Sequence, residues 1–234
     1  MKEKIMKIEK EFITETAKNL LLTDSLIEQA YKEVKTSICS PVWPMESKIF
    51  TINNTKKNCN GVVPIKELCY TTLEETYNWY REKPLNVLKV EKKKGGPIDV
   101  YKEFSAGVFE KKELDNLEGL NQVDNTRRVG MEFETGNISS AHRSMNKLLL
   151  GLKRKEIDLA IILMPIKKLA YYLTDRVTNF EELEPYFELT EGHPFMFIGF
   201  DAEAYDVNVP VIPKGSDGMS DRSIKKWKDK IEDL

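Results

Sequence analysis

The sequence predicts an α/β layer fold in a single domain. The chain has 234 residues, long enough for one sizeable core. Strand-period and helix-period segments interleave along it, the pattern of stacked helix and sheet layers. Its 41% hydrophobic and 32% charged residues are the balance of a globular protein.

The N-terminal MKEKIMKIEKEF alternates charge with single apolar residues and lacks the apolar centre of a secretion signal. No apolar run is long enough to span a bilayer, so a cytoplasmic protein is expected. Over 13–38, Leu26, Ala30, Val34 and Ile38 recur every four residues and predict one helix. Residues 40–64 carry three prolines and the Asn53-Asn54 and Asn60-Gly61 pairs, which read as loop. Ile65, Cys69, Leu73, Tyr77 and Tyr80 mark a second amphipathic helix that Pro84 must end.

The period then changes. Residues 87–90 and 98–104 read as strands separated by Lys94-Gly95-Gly96-Pro97, and 105–127 as a long surface loop. A strand over 128–135, a helix over 138–155 and a buried strand over 157–164 follow. Thr178-Asn179-Phe180-Glu181 reads as a capping box opening a helix that Pro185 kinks. A strand over 195–200 and a short charged helix over 223–232 complete the expectation.

Cys39, Cys59 and Cys69 form no C-x-x-C pair, and His142 and His193 are the only histidines, a poor donor set for zinc. The formal net charge of −2 gives no nucleic-acid footprint. Lys92-Lys93-Lys94, Lys153-Arg154-Lys155 and Lys225-Lys226-Trp227-Lys228 read as solvated faces, or in a dimer as parts of one concave basic surface.

Chemistry concentrates in Val129-Gly130-Met131-Glu132-Phe133-Glu134-Thr135. In a strand, Val129, Met131 and Phe133 share one face while Glu132 and Glu134 share the other, about 7 Å apart. Asp99, in the preceding strand, joins them if the two strands pair. Crowded carboxylates repel unless a proton or cation relieves them, and magnesium suits hard oxygen ligands beside a phosphate. The alternation alone also fits the solvated face of an edge strand or a glycosidase acid pair. Thr135-Gly136-Asn137 leads into a helix bearing Ser139, Ser140, Arg143 and Lys147, with Asn137 as N-cap and free first-turn N–H groups for an anion.

Gly95-Gly96-Pro97-Ile98-Asp99-Val100 together with the segment from Met131 to Arg143 resembles the BamHI family of restriction endonucleases. The likeness extends to Thr36–Pro41, Asn58–Pro64, Tyr77–Glu82, Thr174–Val177 and Pro213–Met219. It implies one nuclease domain over 1–234, with a central mixed sheet flanked by helices and a DNA-contacting C-terminal segment at about 213–234. Related nucleases carry Pro-Asp and then Glu-x-Lys; here Pro97-Ile98-Asp99 has one intervening residue, and Glu134 stands at the lysine position.

By resemblance, Asp99, Glu132, the Phe133 carbonyl and Glu82 hold Mg2+, two ions per active site in the family's pattern, and Glu134 orients or deprotonates the attacking water. Asp175 and Arg176 are implied to read outer G·C pairs, and Asn137, Ser139 and Arg143 inner pairs. Lys66 and Lys147 would lie near the backbone, and Gly215, Gly218 and Met219 near the minor groove. The implied activity is a homodimer's cut of palindromic GGATCC after its first G, with dimer contacts from helices at 138–155 and 178–190. A catalytically inactive DNA-binding protein on the same scaffold is the alternative.

Overall fold

The N-terminal alternation builds a strand. In the computed structural model, which describes residues 6–86, 96–105 and 126–214, β1 (Met6–Ile13) pairs antiparallel with β7 (Phe195–Ala202). The expected strand at 87–90, Gly95 and the Lys94 turn position, the body of the 105–127 loop, the helix at 223–232, and Gly215, Gly218 and Met219 lie outside the described residues.

One continuous helix over 13–38 does not form. Asp24 divides it into α1 (Glu15–Thr23) and α2 (Ser25–Ile38). Its extended backbone closes the first helix, while its carboxylate accepts from the Leu26 and Ile27 N–H groups that open the second. Periodicity continues across the break because both helices bury an apolar face, so spacing alone conceals it.

Residues 40–62 are mainly loop, with the short β2 (Thr51–Ile52) paired in parallel to β8 (Ala204–Tyr205). The next helix is shorter than expected. α3 (Val63–Thr71) passes into a π turn at Thr72–Thr76, and Tyr80 already belongs to β3 (Tyr80–Pro84). Glu82 therefore lies in an edge strand, at φ +53°, rather than at a helix end.

The main sheet has the order β1-β7-β6-β5-β4-β3. β4 (Pro97–Ser105), β5 (Thr126–Phe133) and β6 (Leu159–Pro165) are inner strands of that sheet. β5 pairs antiparallel with β4 and parallel with β6; β6 pairs parallel with β7, so the sheet is mixed. β6 and β7 are buried throughout, as expected for strands covered on both faces.

α4 (Ile138–Lys153) packs against β4, β5 and β6. After β6 come α5 (Lys167–Ala170) and α6 (Phe180–Leu183), the latter continuing as a 3-10 turn over Glu184–Thr190. The expected capping box is displaced by one residue: Asn179 caps, and its amide also reaches Glu182 three residues on. Pro185 is the second residue of the 3-10 turn, where its missing N–H costs no helical bond. Phe187 stacks on Phe197 with ring centroids 3.8 Å apart, locking this segment onto β7.

Candidate active site

The pairing of β4 with β5 determines where the acids meet. Val100 lies opposite Met131, so the neighbouring backbone positions are Asp99 and Glu132. On the other side of β4, the Arg81–Val100 and Lys83–Ile98 pairs bracket Glu82 and Asp99. Glu82, Asp99 and Glu132 thus occupy one row across three strands.

Their side chains do not share one environment. Asp99, Glu132 and Glu134 line a cleft of about 940 Å³ with Lys66, Ser139, Arg143, Ser144 and Lys147. Glu82 is exposed and is not among the residues lining that cleft. Glu132 and Glu134 are only 4% and 6% exposed, which removes the solvated edge-strand reading. β5 is an inner strand, and α4 covers both acids.

Asp99 is held from α3. Its Oδ2 accepts from Lys66 Nζ at 3.0 Å, the Tyr70 hydroxyl at 2.7 Å and the Phe133 backbone N–H at 3.0 Å. Among the described residues no donor is recorded on Oδ1. Burial raises the Asp99 carboxyl, but Lys66 and the Tyr70 hydroxyl outweigh it and hold the group below its ordinary value. Tyr70 is itself fixed edge-on against Phe133 and beneath the Arg81 guanidinium.

The two glutamates are held from α4. Lys147 Nζ lies 2.5 Å from Glu132 Oε1 and donates to the Pro97 carbonyl at 2.6 Å. Glu132 Oε1 is buried and accepts no well-formed hydrogen bond; the ion pair is its contact. Burial, and then the Asp99 charge, push Glu132 up to about 7 despite Lys147. Burial also raises Glu134, against the lowering effect of the Gly136 N–H and Ser144 hydroxyl. A side chain at Gly136 would place its Cβ 2.8 Å from Glu134 Oε1, so the absence of a Cβ permits that close turn.

The donor set suits a divalent cation, because Asp99 and Glu132 offer hard oxygens and the donors recorded on Asp99 all sit on Oδ2, leaving Oδ1 as a ligand atom among the described residues. The cluster is not preassembled: no group of three candidate ligands stands together as a metal site among the described residues. Lys66 and Lys147 instead supply the positive charge that relieves carboxylate repulsion.

The residues expected to read DNA separate into two groups. Asn137 caps α4 by accepting from the Ser140 N–H, and exposed Ser139 and Arg143 stand at the cleft. Asp175 and Arg176 lie outside that cleft on an exposed turn, where Arg176 has φ +63°. Asp175 accepts from Asn58 Nδ2 at 3.2 Å, and Arg176 Nε is 3.6 Å from the same carboxylate. A backbone bond from Thr178 N–H to the Gly136 carbonyl, 2.8 Å, ties this turn to the start of α4.

Sequence reasoning missed Tyr70, Ser144 and Asn58. Tyr70 follows Lys66 by four residues and Ser144 precedes Lys147 by three, so helical spacing groups each with a residue already singled out. Asn58 had no such local signal, since 117 positions separate it from Asp175.

A mixed sheet that carries a carboxylate cleft at strand ends and a capped helix start beside it defines a restriction-endonuclease-like nuclease fold. The chain belongs to the BamHI restriction endonuclease family, whose description "Restriction endonuclease BamHI" matches residues 6–219. It is 77% identical over 227 residues to the type II restriction enzyme BamHI of Bacillus amyloliquefaciens, covering 97% of this chain and 99% of that protein. It is 32% identical over 201 residues to the type II restriction enzyme OkrAI of Oceanobacter kriegii, covering 84% and 91% respectively. Among solved structures, restriction endonuclease BglII complexed with a DNA 16-mer is similar in fold, with TM-score 0.57 and 13% identity over 93% of this chain and 88% of that one. The chain is a type II restriction endonuclease of BamHI type.

Proposed function

We propose that a homodimer of this chain makes a magnesium-dependent double-strand cut in palindromic DNA, at GGATCC after the first G. The observation carrying the catalytic reading is the convergence of Asp99, Glu132 and Glu134 in one cleft beside the N-terminus of α4.

Asp99, Glu132 and the Phe133 carbonyl would hold Mg2+, with Glu82 joining from the adjacent strand. The bound cation supplies Lewis acidity and favours hydroxide formation from water. Glu134 is the water-orienting group and candidate base, since its buried carboxyl has an elevated proton affinity. When a DNA phosphate enters, Lys66 and Lys147 can turn from carboxylates toward phosphate oxygens and stabilise developing negative charge. The inner base pairs fall to Asn137, Ser139 and Arg143. Asp175 and Arg176 suit an outer G·C pair, accepting from the cytosine amine and donating to guanine. Gly215, Gly218 and Met219 are assigned to the minor groove on the family resemblance.

Two-fold symmetry matches a palindrome. Leu150 on α4 and Tyr186 and Leu189 on the 3-10 turn are large exposed apolar residues on the two segments assigned to the dimer contact. Digestion of a plasmid carrying one GGATCC should give linear DNA with Mg2+ and none with chelator; Asp99→Ala and Glu132→Ala should abolish cutting. An intact site at every enzyme concentration rejects the specificity. Specific binding without nicking in Mg2+ or Mn2+ instead supports the inactive DNA-binding alternative.

A further inference from the structure

We infer that Ser144 is a positioning residue that holds Glu132 and Glu134 in their working arrangement. Its hydroxyl lies 3.2 Å from Glu132 Oε2 and 3.0 Å from Glu134 Oε2. Among the described residues, it is the side chain within hydrogen-bond distance of both acids.

The strand alone does not provide this arrangement. β5 ends at Phe133, and Glu134 lies beyond it, with its backbone N–H bonded to the Leu163 carbonyl. Glutamate side chains have several rotatable bonds, and two crowded carboxylates favour splaying. The remaining oxygens have separate anchors: Lys147 faces Glu132 Oε1, while the Gly136 N–H binds Glu134 Oε1. With one proton, the Ser144 hydroxyl donates to one of these two anchored acids at a time, and its place between them sets their relative tilt.

Its hydroxyl also departs from the usual local role of a helical serine or threonine. Ser37 and Thr72 bond to the carbonyl four residues back. Ser144, 5% exposed, instead directs its hydroxyl across α4 to the sheet. Lys147 follows three residues later on the same helical side, so one turn of α4 presents both a neutral donor and a cation to the glutamates.

This inference rests on the carboxylates acting as proposed above, and its test includes a metal-binding readout. Ser144→Ala removes the donor in a helix-favourable residue; Ser144→Thr retains a hydroxyl. With GGATCC plasmid and Mg2+, Ser144→Ala should lower kcat about 10- to 100-fold, a typical loss for a group supporting metal-site residues. Its KM and metal-free DNA affinity should stay near wild type. Calorimetric titration of Ca2+ into the protein–DNA complex should show weakened cation binding, with Ser144→Thr recovering toward wild type in both assays. Wild-type kcat and cation affinity in Ser144→Ala overturn the inference. Equal losses in both variants, accompanied by lowered melting temperatures, also overturn it in favour of packing. If wild type does not cleave the plasmid, the proposed activity fails, while the cation titration still tests positioning by Ser144.

Discussion

Glu132 and Asp99 meet the same cleft but carry opposite proton affinities, and the difference lies in their partners. Asp99 has three donors on one oxygen, whereas Glu132 is more enclosed and faces the Asp99 charge. Raising Glu132 from its ordinary value of 4.5 to about 7 means that the folded, metal-free protein binds more protons than the unfolded chain between those pH values. The associated stability is fully present below about pH 4.5 and is lost as pH rises through 7. Glu132→Gln should therefore become progressively more stable relative to wild type from pH 5 to 8, by up to about 3 kcal/mol at 1.36 kcal/mol per pKa unit. Denaturant melts in chelator test this slope; a constant stability difference would reject the assigned proton linkage.

At the scale of elements, Asp24 joins helix breaking to sheet packing. It caps α2 and pairs with Arg127 at the start of β5, 2.5 Å away. Asp24→Ala should cost about 1–2 kcal/mol, read as a lower urea midpoint with unchanged m-value. Such a result would identify the α1–α2 division as a capped boundary rather than incidental fraying. Ser144→Ala tests a different helix function: the removal of a donor aimed from α4 at the sheet should change catalysis and cation binding while leaving the melt largely unchanged.

The element boundaries also explain where sequence periodicity was informative and where it was not. The run from Leu159 to Pro165 formed a strand because sustained hydrophobicity suits burial on both faces. The spacing from Ile65 to Tyr80 crossed a π turn and entered β3, because amphipathic spacing does not specify where one hydrogen-bond pattern gives way to another. The alternation in β1 was present from the outset, but its pairing with β7 required a contact between chain positions nearly two hundred residues apart.

At molecular scale, the proposed palindrome requires two active sites, while the described surface leaves Leu150, Tyr186 and Leu189 exposed. Leu189→Asp should weaken a homodimer formed through that surface by introducing charge into an apolar contact. Light scattering should move toward the monomer mass, and cleavage at micromolar subunit concentration should shift from linear product toward nicked or uncut DNA. An unchanged dimer mass would place the interface elsewhere.

The order of acids, the capped helix following Glu134 and the extended family resemblance made the nuclease class legible in the linear chain. Side-chain alternation and local helix signals are carried by nearby residues, so they survive without three-dimensional coordinates. Burial of both glutamates, the approach of Lys66 and Tyr70 to Asp99, and the Ser144 bridge were decided by the tertiary structure. Those interactions depend on long-range strand pairing and on which helix face closes over the sheet, neither of which is specified by spacing within one segment.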